Sequence, residues 1–208
     1  RGRGVSAAAR PPRVWQRMLS GRRLDLADPS PFDVEISDIA HGLARVARWN
    51  GQTRGPHAFS VAQHSVLVVD IAVRLDPSLS DADRLAALLH DAPEYVIGDM
   101  ISPFKALVGG AYKAVEARLL AAIHLRFGLP AERRAELTRA IKAADRIAAY
   151  HEATTLAGFG AEEATQFFGR PRGIAADHLA MEPWPTSEAE RRFLALFQTL
   201  VGEAALSS

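Results

Sequence analysis

The chain contains no cysteine among its 208 residues. This absence excludes disulfides, thiolate nucleophiles and cysteine-ligated zinc. Histidines and carboxylates are therefore the only side chains expected to hold a metal ion tightly. The absence also fits a reducing compartment.

The chain also lacks long apolar runs and any strong charge of one sign. No stretch resembles a membrane span or a secretory signal, so we expect a cytoplasmic protein with no membrane partner. The formal net charge is only +1, which provides no global attraction to nucleic acid. We expect no nucleic-acid partner, and any bound anion must be held by local charges.

The first 23 residues contain seven arginines and no acid before Asp25. Such a stretch is typical of a transit peptide or a nucleic-acid-binding arm. The simpler interpretation is a frayed terminus that leads into a short helix around residues 14–19. We predict that residues 1–23 form a partly disordered extension and that residues 24–208 form one domain.

Apolar residues recur at helical spacing along most of the remaining chain. Pro130 is predicted to open a long helix that runs through Asp145. Residues 33–36 alternate like a strand, and residues 158–185 are the least regular part. Serines that could cap helices stand at Ser37, Ser60, Ser80, Ser102 and Ser187. The pattern predicts an all-α, single-domain helical bundle with non-parallel helices.

A histidine and an aspartate stand side by side, as His90-Asp91, directly before a proline-broken turn. Upstream, His64 lies in the first turns of a predicted helix. Downstream, Asp145 lies inside another predicted helix. Three helices can therefore bring two imidazoles and two carboxylates to one point. This ligand set suits one divalent ion such as Mn, Fe, Co, Ni or Zn better than Mg. An ion held in this way can polarise a phosphoryl group and activate water.

These residues resemble the H…HD…D signature of the HD superfamily of metal-dependent phosphohydrolases. The similarity extends through Arg48-Trp49, Ser60 to Ser65, His90 to Glu94, Gly98-Asp99, Ser102 to Lys105 and Lys142 to Asp145. Over about residues 39–156 the chain is similar to the bacterial 5′-deoxynucleotidases of that superfamily. Those enzymes are helical homodimers that use a divalent metal to remove the 5′-phosphate from deoxynucleoside monophosphates.

The resemblance assigns eight residues: His64, His90, Asp91 and Asp145 to the metal, Glu94 and Asp99 to catalysis, and Arg48 and Trp49 to the substrate. The chemistry fits these roles. Glu94 follows His90 by one helical turn, so its carboxylate can orient or deprotonate a water. Arg48 can pair with phosphate oxygens, and Trp49 can line the pocket for the sugar or base. Gln63 stands where these deoxynucleotidases carry Glu.

Alternatives remain open at this stage. Glu94 and Asp99 could be exposed helix-start carboxylates, and Arg48 and Trp49 an ordinary cation and a core anchor. The substrate could be a nucleotide diester or pyrophosphate, such as a cyclic nucleotide or an alarmone. The chain could also be a non-catalytic, regulatory nucleotide-binding module. Binuclear HD phosphodiesterases add two histidines between the HD pair and the last Asp, whereas only His124 lies in that interval here.

Overall fold

The computed structural model describes residues 13–171 and 173–206, and in this part of the chain helices predominate. The helices are α1 (Ile36–Leu43), α2 (Val61–Leu75), α3 (Asp81–Leu88), α4 (Glu94–Ile97), α5 (Ser102–Val108), α6 (Gly110–Arg126), α7 (Ala135–Thr155), α8 (Ala161–Phe168) and α9 (Thr186–Leu206). Within the same residues the only sheet pairs two short strands, β1 (Trp15–Arg17) and β2 (Arg23–Asp25). The predicted all-α bundle is confirmed.

The core of the bundle is built around α2, which packs against α3, α7 and α9. The predicted cap at Ser60 is confirmed, because its hydroxyl accepts a hydrogen bond from the Gln63 amide. Ser80 caps α3 in the same way through Asp83. These caps satisfy backbone amides that have no partner within their helix. No helix in residues 13–171 or 173–206 is long and apolar enough to cross a bilayer.

The short helix predicted around residues 14–19 is wrong, because this segment forms the antiparallel β1–β2 hairpin. The hairpin is anchored to the domain through Leu24, which is fully buried. At its turn, the Ser20 hydroxyl donates to the buried carboxylate of Asp38. Long-range contacts therefore decide the conformation of this segment. Arg1, Arg3 and Arg10, which belong to the predicted extension, lie outside the described residues.

Two further segments differ from their predicted structure. Residues 33–36 form no strand, because Pro31–Asp33 is a 3-10 turn and α1 already begins at Ile36. The long helix predicted from Pro130 begins later, at Ala135. Residues 158–185, predicted to be the least regular part, contain one short helix, α8, and a 3-10 turn (Ala176–His178).

Contacts outside the segment explain the late start of α7. The carbonyl of Pro130 accepts a hydrogen bond from the ring of His124. Arg134 makes a bidentate pair with Asp83 on α3, with distances of 2.7 and 2.9 Å. These two contacts hold the residues between them as a loop.

Candidate metal centre and active site

The structure brings the four predicted metal ligands together from three parts of the bundle. His64 lies on α2, Asp145 on α7, and His90-Asp91 in the turn between α3 and α4. Nε2 of His64 lies 3.3 Å from Oδ1 of Asp145 and 3.5 Å from Oδ2 of Asp91. Nε2 of His90 lies 3.2 Å from the same Asp91 oxygen. The ligand atoms of His64, His90 and Asp145 all lie within 4.8 Å of one another, so this cluster could hold a metal ion.

The hydrogen bonding of the two imidazoles fits such an ion. Nε2 of His64 and Nε2 of His90 are buried and have no hydrogen-bond partner among the described residues. The other ring nitrogen of each is engaged, because His90 Nδ1 lies 2.8 Å from the Ala87 carbonyl and His64 Nδ1 lies 2.6 Å from Glu152. A histidine that donates from Nδ1 presents the lone pair of Nε2 to a metal.

Glu152 on α7 is a site residue that the sequence analysis missed. Its side chain is fully buried, with Oε1 on His64. Its Oε2 accepts hydrogen bonds from Nε1 of Trp49 over 2.8 Å and from Nε of Arg48 over 3.2 Å. Burial opposes ionisation, but Arg48 and His64 outweigh it and lower the pKa of Glu152 to about 2. An ionised Glu152 can only accept, so His64 must donate from Nδ1.

The spacing along α7 could have identified Glu152. It follows Asp145 by two helical turns, so both carboxylates lie on one face of the helix. Metal-binding histidines commonly donate their second ring proton to a carboxylate. A search for an acid two turns from Asp145 would therefore have predicted this contact.

The charges around His64 favour binding of a cation. Burial and the nearby Arg48 lower the pKa of His64. The carboxylates of Glu152, Asp145 and Asp91 outweigh both effects, and its pKa lies well above the usual range. The same carboxylates would stabilise a divalent cation at the cluster.

Arg48 and Trp49 lie in a 3-10 turn (Arg48–Gly51) beside the metal cluster. Trp49 and Asn50 have positive φ angles of 58° and 50°. This region is costly for residues other than glycine, and strain of this kind is concentrated at functional sites. Glu152 holds Trp49 in place, and the indole also packs on Phe159 at a centroid distance of 5.5 Å. The turn thus belongs to the site and is not an isolated loop.

Glu94 and Asp99 approach the cluster from the side of α4. Nη1 of Arg48 donates to Oδ2 of Asp99 over 3.1 Å, so the predicted catalytic and substrate-binding residues touch each other. Glu94 is 2% exposed. Burial, followed by the charges of Asp91 and Asp99, raises the pKa of Glu94 to about 9. A divalent cation at the cluster would counteract those two charges and favour the ionised carboxylate.

A cavity of about 430 Å³ opens beside these residues. Its walls include Asn50, Asp99 and the apolar side chains of Ile97, Met100 and Phe104. Small-molecule pockets of this size commonly combine apolar walls with a few polar groups. The cavity is joined to the metal-cluster side of the molecule through Asp99, which contacts Arg48.

Gln63, next to His64, contacts the C-terminal part of the chain and not the metal cluster. Its Nε2 donates to the carbonyls of Ala180 and Glu182, and its Oε1 accepts from the backbone amide of Trp184. An ionised glutamate at this position could not donate either of the first two bonds. The amide therefore holds this segment against the start of α2.

Two histidines outside the cluster have other surroundings. His124 is buried and bonded to the Pro130 carbonyl. His57, in the loop before α2, is exposed. Neither belongs to the group of side chains that could hold an ion within the described residues.

Comparisons with known proteins identify relatives of this chain. The family model described as 5′-deoxynucleotidase YfbR-like matches residues 37–172, which include all eight predicted site residues and Glu152. An uncharacterized protein of Rhodobacter capsulatus is 56% identical over 189 residues, which cover 91% of this chain and 96% of that protein. The chain therefore belongs to the YfbR-like 5′-deoxynucleotidase family of the HD superfamily, a family of nucleotide phosphohydrolases.

Proposed function

We propose that this protein is a metal-dependent phosphomonoesterase that removes the 5′-phosphate from nucleoside monophosphates, most readily from deoxynucleotides. The observation that carries the proposal is the pair of buried Nε2 atoms of His64 and His90, which face the carboxylates of Asp91 and Asp145 and have no hydrogen-bond partner in residues 13–171 and 173–206. Family membership supports a nucleotide as the substrate.

The four ligands would hold one divalent ion, and the borderline softness of two imidazoles favours Mn, Fe, Co, Ni or Zn over Mg. When bound, the ion polarises the phosphoryl group and makes a water more acidic. The unpartnered nitrogens support this assignment because a buried polar atom without a partner requires an explanation.

The surrounding residues supply the remaining chemistry. Arg48 binds phosphate oxygens, and Trp49 positions the sugar or base. Glu94 accepts a proton from the water while the water oxygen forms a bond to phosphorus. The bond from phosphorus to the 5′-oxygen breaks, and the departing oxygen takes a proton from a solvent water that Asp99, the partner of Arg48, orients on that side. The products are a nucleoside and inorganic phosphate.

A panel of substrates separates this proposal from its alternatives. We expect orthophosphate from deoxynucleoside 5′-monophosphates in the presence of Co²⁺ or Mn²⁺, and little turnover of cyclic nucleotides or of pyrophosphorylated nucleotides. If a diester or a pyrophosphate is cleaved faster than the monophosphates, the proposed substrate class is wrong. Tight nucleotide binding without turnover under any metal would favour a regulatory module.

The resemblance also leads us to propose a cytoplasmic homodimer. Light scattering coupled to size-exclusion chromatography checks the oligomeric state, and a mass near that of one chain would overturn the dimer. Fractionation of the source cells checks the compartment.

A further inference from the structure

Tyr112, in the first turn of α6, has a buried hydroxyl with no hydrogen-bond partner among the described residues. A hydroxyl loses its bonds to water on burial, so a buried one without a partner is unfavourable. Burial, followed by the carboxylates of Glu116, Glu94 and Asp99, raises the pKa of Tyr112. The phenol therefore stays neutral and available as a donor.

Lys105 connects this phenol to the proposed catalytic residues. Its Nζ lies 3.8 Å from Oε1 of Glu94 and 3.7 Å from Oε1 of Glu116. The same ammonium lies 5.5 Å from the centre of the Tyr112 ring. Tyr112 thus lies in the wall of the site that faces Glu94. The proposed hydrolysis of the phosphate ester does not require its hydroxyl.

The charges on this wall indicate which group it can bind. The ammonium of Lys105 already faces the carboxylates of Glu94 and Glu116, so it is not free to bind a phosphate there. A hydroxyl carries no charge, and it can accept from a phenol while it donates to a carboxylate. The neighbouring cavity is lined by Asp99, whose charge also acts on Tyr112, and by Phe104 of α5, the helix that carries Lys105.

We propose that the Tyr112 hydroxyl donates a hydrogen bond to the 3′-hydroxyl of the substrate's sugar, which in turn donates to a carboxylate of this wall. The inference rests on the proposed function, because the 5′-phosphate must occupy the metal cluster while the sugar reaches α6. It assigns recognition of the sugar to α5 and α6.

The test compares a 2′-deoxynucleoside 5′-monophosphate with its 2′,3′-dideoxy analogue, in the wild type and in Tyr112→Phe. We expect the wild type to prefer the first substrate by about tenfold or more in kcat/KM. Tyr112→Phe should lose that preference by slowing only the 3′-hydroxylated substrate. Metal content and the melting temperature should not fall, because the described residues offer the removed hydroxyl no partner.

Tyr95→Phe is the matched control. Its hydroxyl is also buried without a partner in the part of the chain that the structure describes, but the residue packs against Gly42 of α1 and its pKa responds to Asp38. This variant should leave both rates unchanged. An equal loss on the two substrates in Tyr112→Phe, or the same loss in Tyr95→Phe, would overturn the inference.

Equilibrium binding separates this inference from the proposed function. If no monophosphate is hydrolysed, the proposed function fails. The affinities of the two nucleotides for metal-loaded wild type and Tyr112→Phe then decide the inference by themselves. Equal affinities in the wild type would reject it, and a preference that disappears in Tyr112→Phe would support it.

Discussion

His64 donates the proton on its Nδ1 to Oε1 of Glu152 across 2.6 Å, and both side chains are fully buried. The other oxygen of the same carboxylate holds Arg48 and Trp49. One buried carboxylate therefore sets the tautomer of a metal ligand and fixes the turn that is proposed to bind substrate.

Replacing Glu152 by Gln should weaken metal binding. The amide can still accept from Trp49, but its NH₂ group would then face His64 and favour the tautomer with a proton on Nε2. We expect the affinity for Co²⁺ or Mn²⁺ to fall about 10–100-fold, as for other carboxylates that orient a metal-binding histidine. Calorimetric metal titration measures this change. Glu136→Gln, an exposed position on the same helix, is the matched control and should bind metal normally.

The cluster should bind one ion per chain. Replacing His64 or Asp145 by Ala should remove both metal and activity, because an open site that loses one ligand loses affinity steeply. Elemental analysis of the purified protein and its variants checks the stoichiometry. His57→Ala, at an exposed histidine outside the cluster, should keep the ion. Two tightly bound ions per wild-type chain would contradict the assignment.

Arg48 should act on substrate and not on metal. Arg48→Ala should raise KM for monophosphates while the metal content stays unchanged. It also removes the guanidinium that pairs with Asp99 and with one oxygen of Glu152, and loss of one member of such a buried pair costs about 3–5 kcal/mol of stability. Arg48→Lys keeps a positive charge but loses the paired donors, so it should fold and still raise KM. An unchanged KM in a folded Arg48→Lys protein would favour a purely structural role.

Glu94 should act on the water and not on the ion. Glu94→Gln keeps the shape of the side chain but removes its basic oxygen. We expect normal folding, metal content and nucleotide binding, with turnover reduced at least about a hundredfold. Single-turnover kinetics at saturating nucleotide measure the effect. Loss of metal would show that Glu94 is a ligand, and near-normal turnover would remove it from the mechanism.

His124 should make the fold sensitive to mild acid. Burial and the nearby Arg133 lower its pKa, against the effect of its bond to Pro130. Below about pH 6.5 the unfolded chain therefore binds a proton that the folded chain rejects. Above this pH the folded state keeps the full stabilisation that neutral His124 provides. This stabilisation is lost as the pH falls towards the lowered pKa of His124 in the folded state.

Urea denaturation between pH 5 and 8 measures this dependence. His124→Asn can keep the bond to Pro130 but cannot titrate, so the difference in stability between variant and wild type should change in favour of the variant as the pH falls. His57→Asn, at an exposed histidine, should show no such change. A pH-independent difference between His124→Asn and the wild type would contradict the prediction.

The sequence alone determined the helical class, several helix starts and the candidate ligands. These features depend on residue type and short spacing. The cap at Ser60 involves an amide three residues away, and the His90-Asp91 pair consists of neighbours. The absence of cysteine restricted the remaining ligands to imidazoles and carboxylates.

Only the tertiary structure decided the contacts that complete the site. Glu152 meets His64 across 88 positions of the chain, and Gln63 reaches a segment more than a hundred residues away. The hairpin at Trp15 replaced a predicted helix because Leu24 and Asp38 fix it to the core. The helix and strand preferences of single residues differ in free energy by less than the burial of such residues and their hydrogen bonds contributes. Packing between distant segments therefore determines these features.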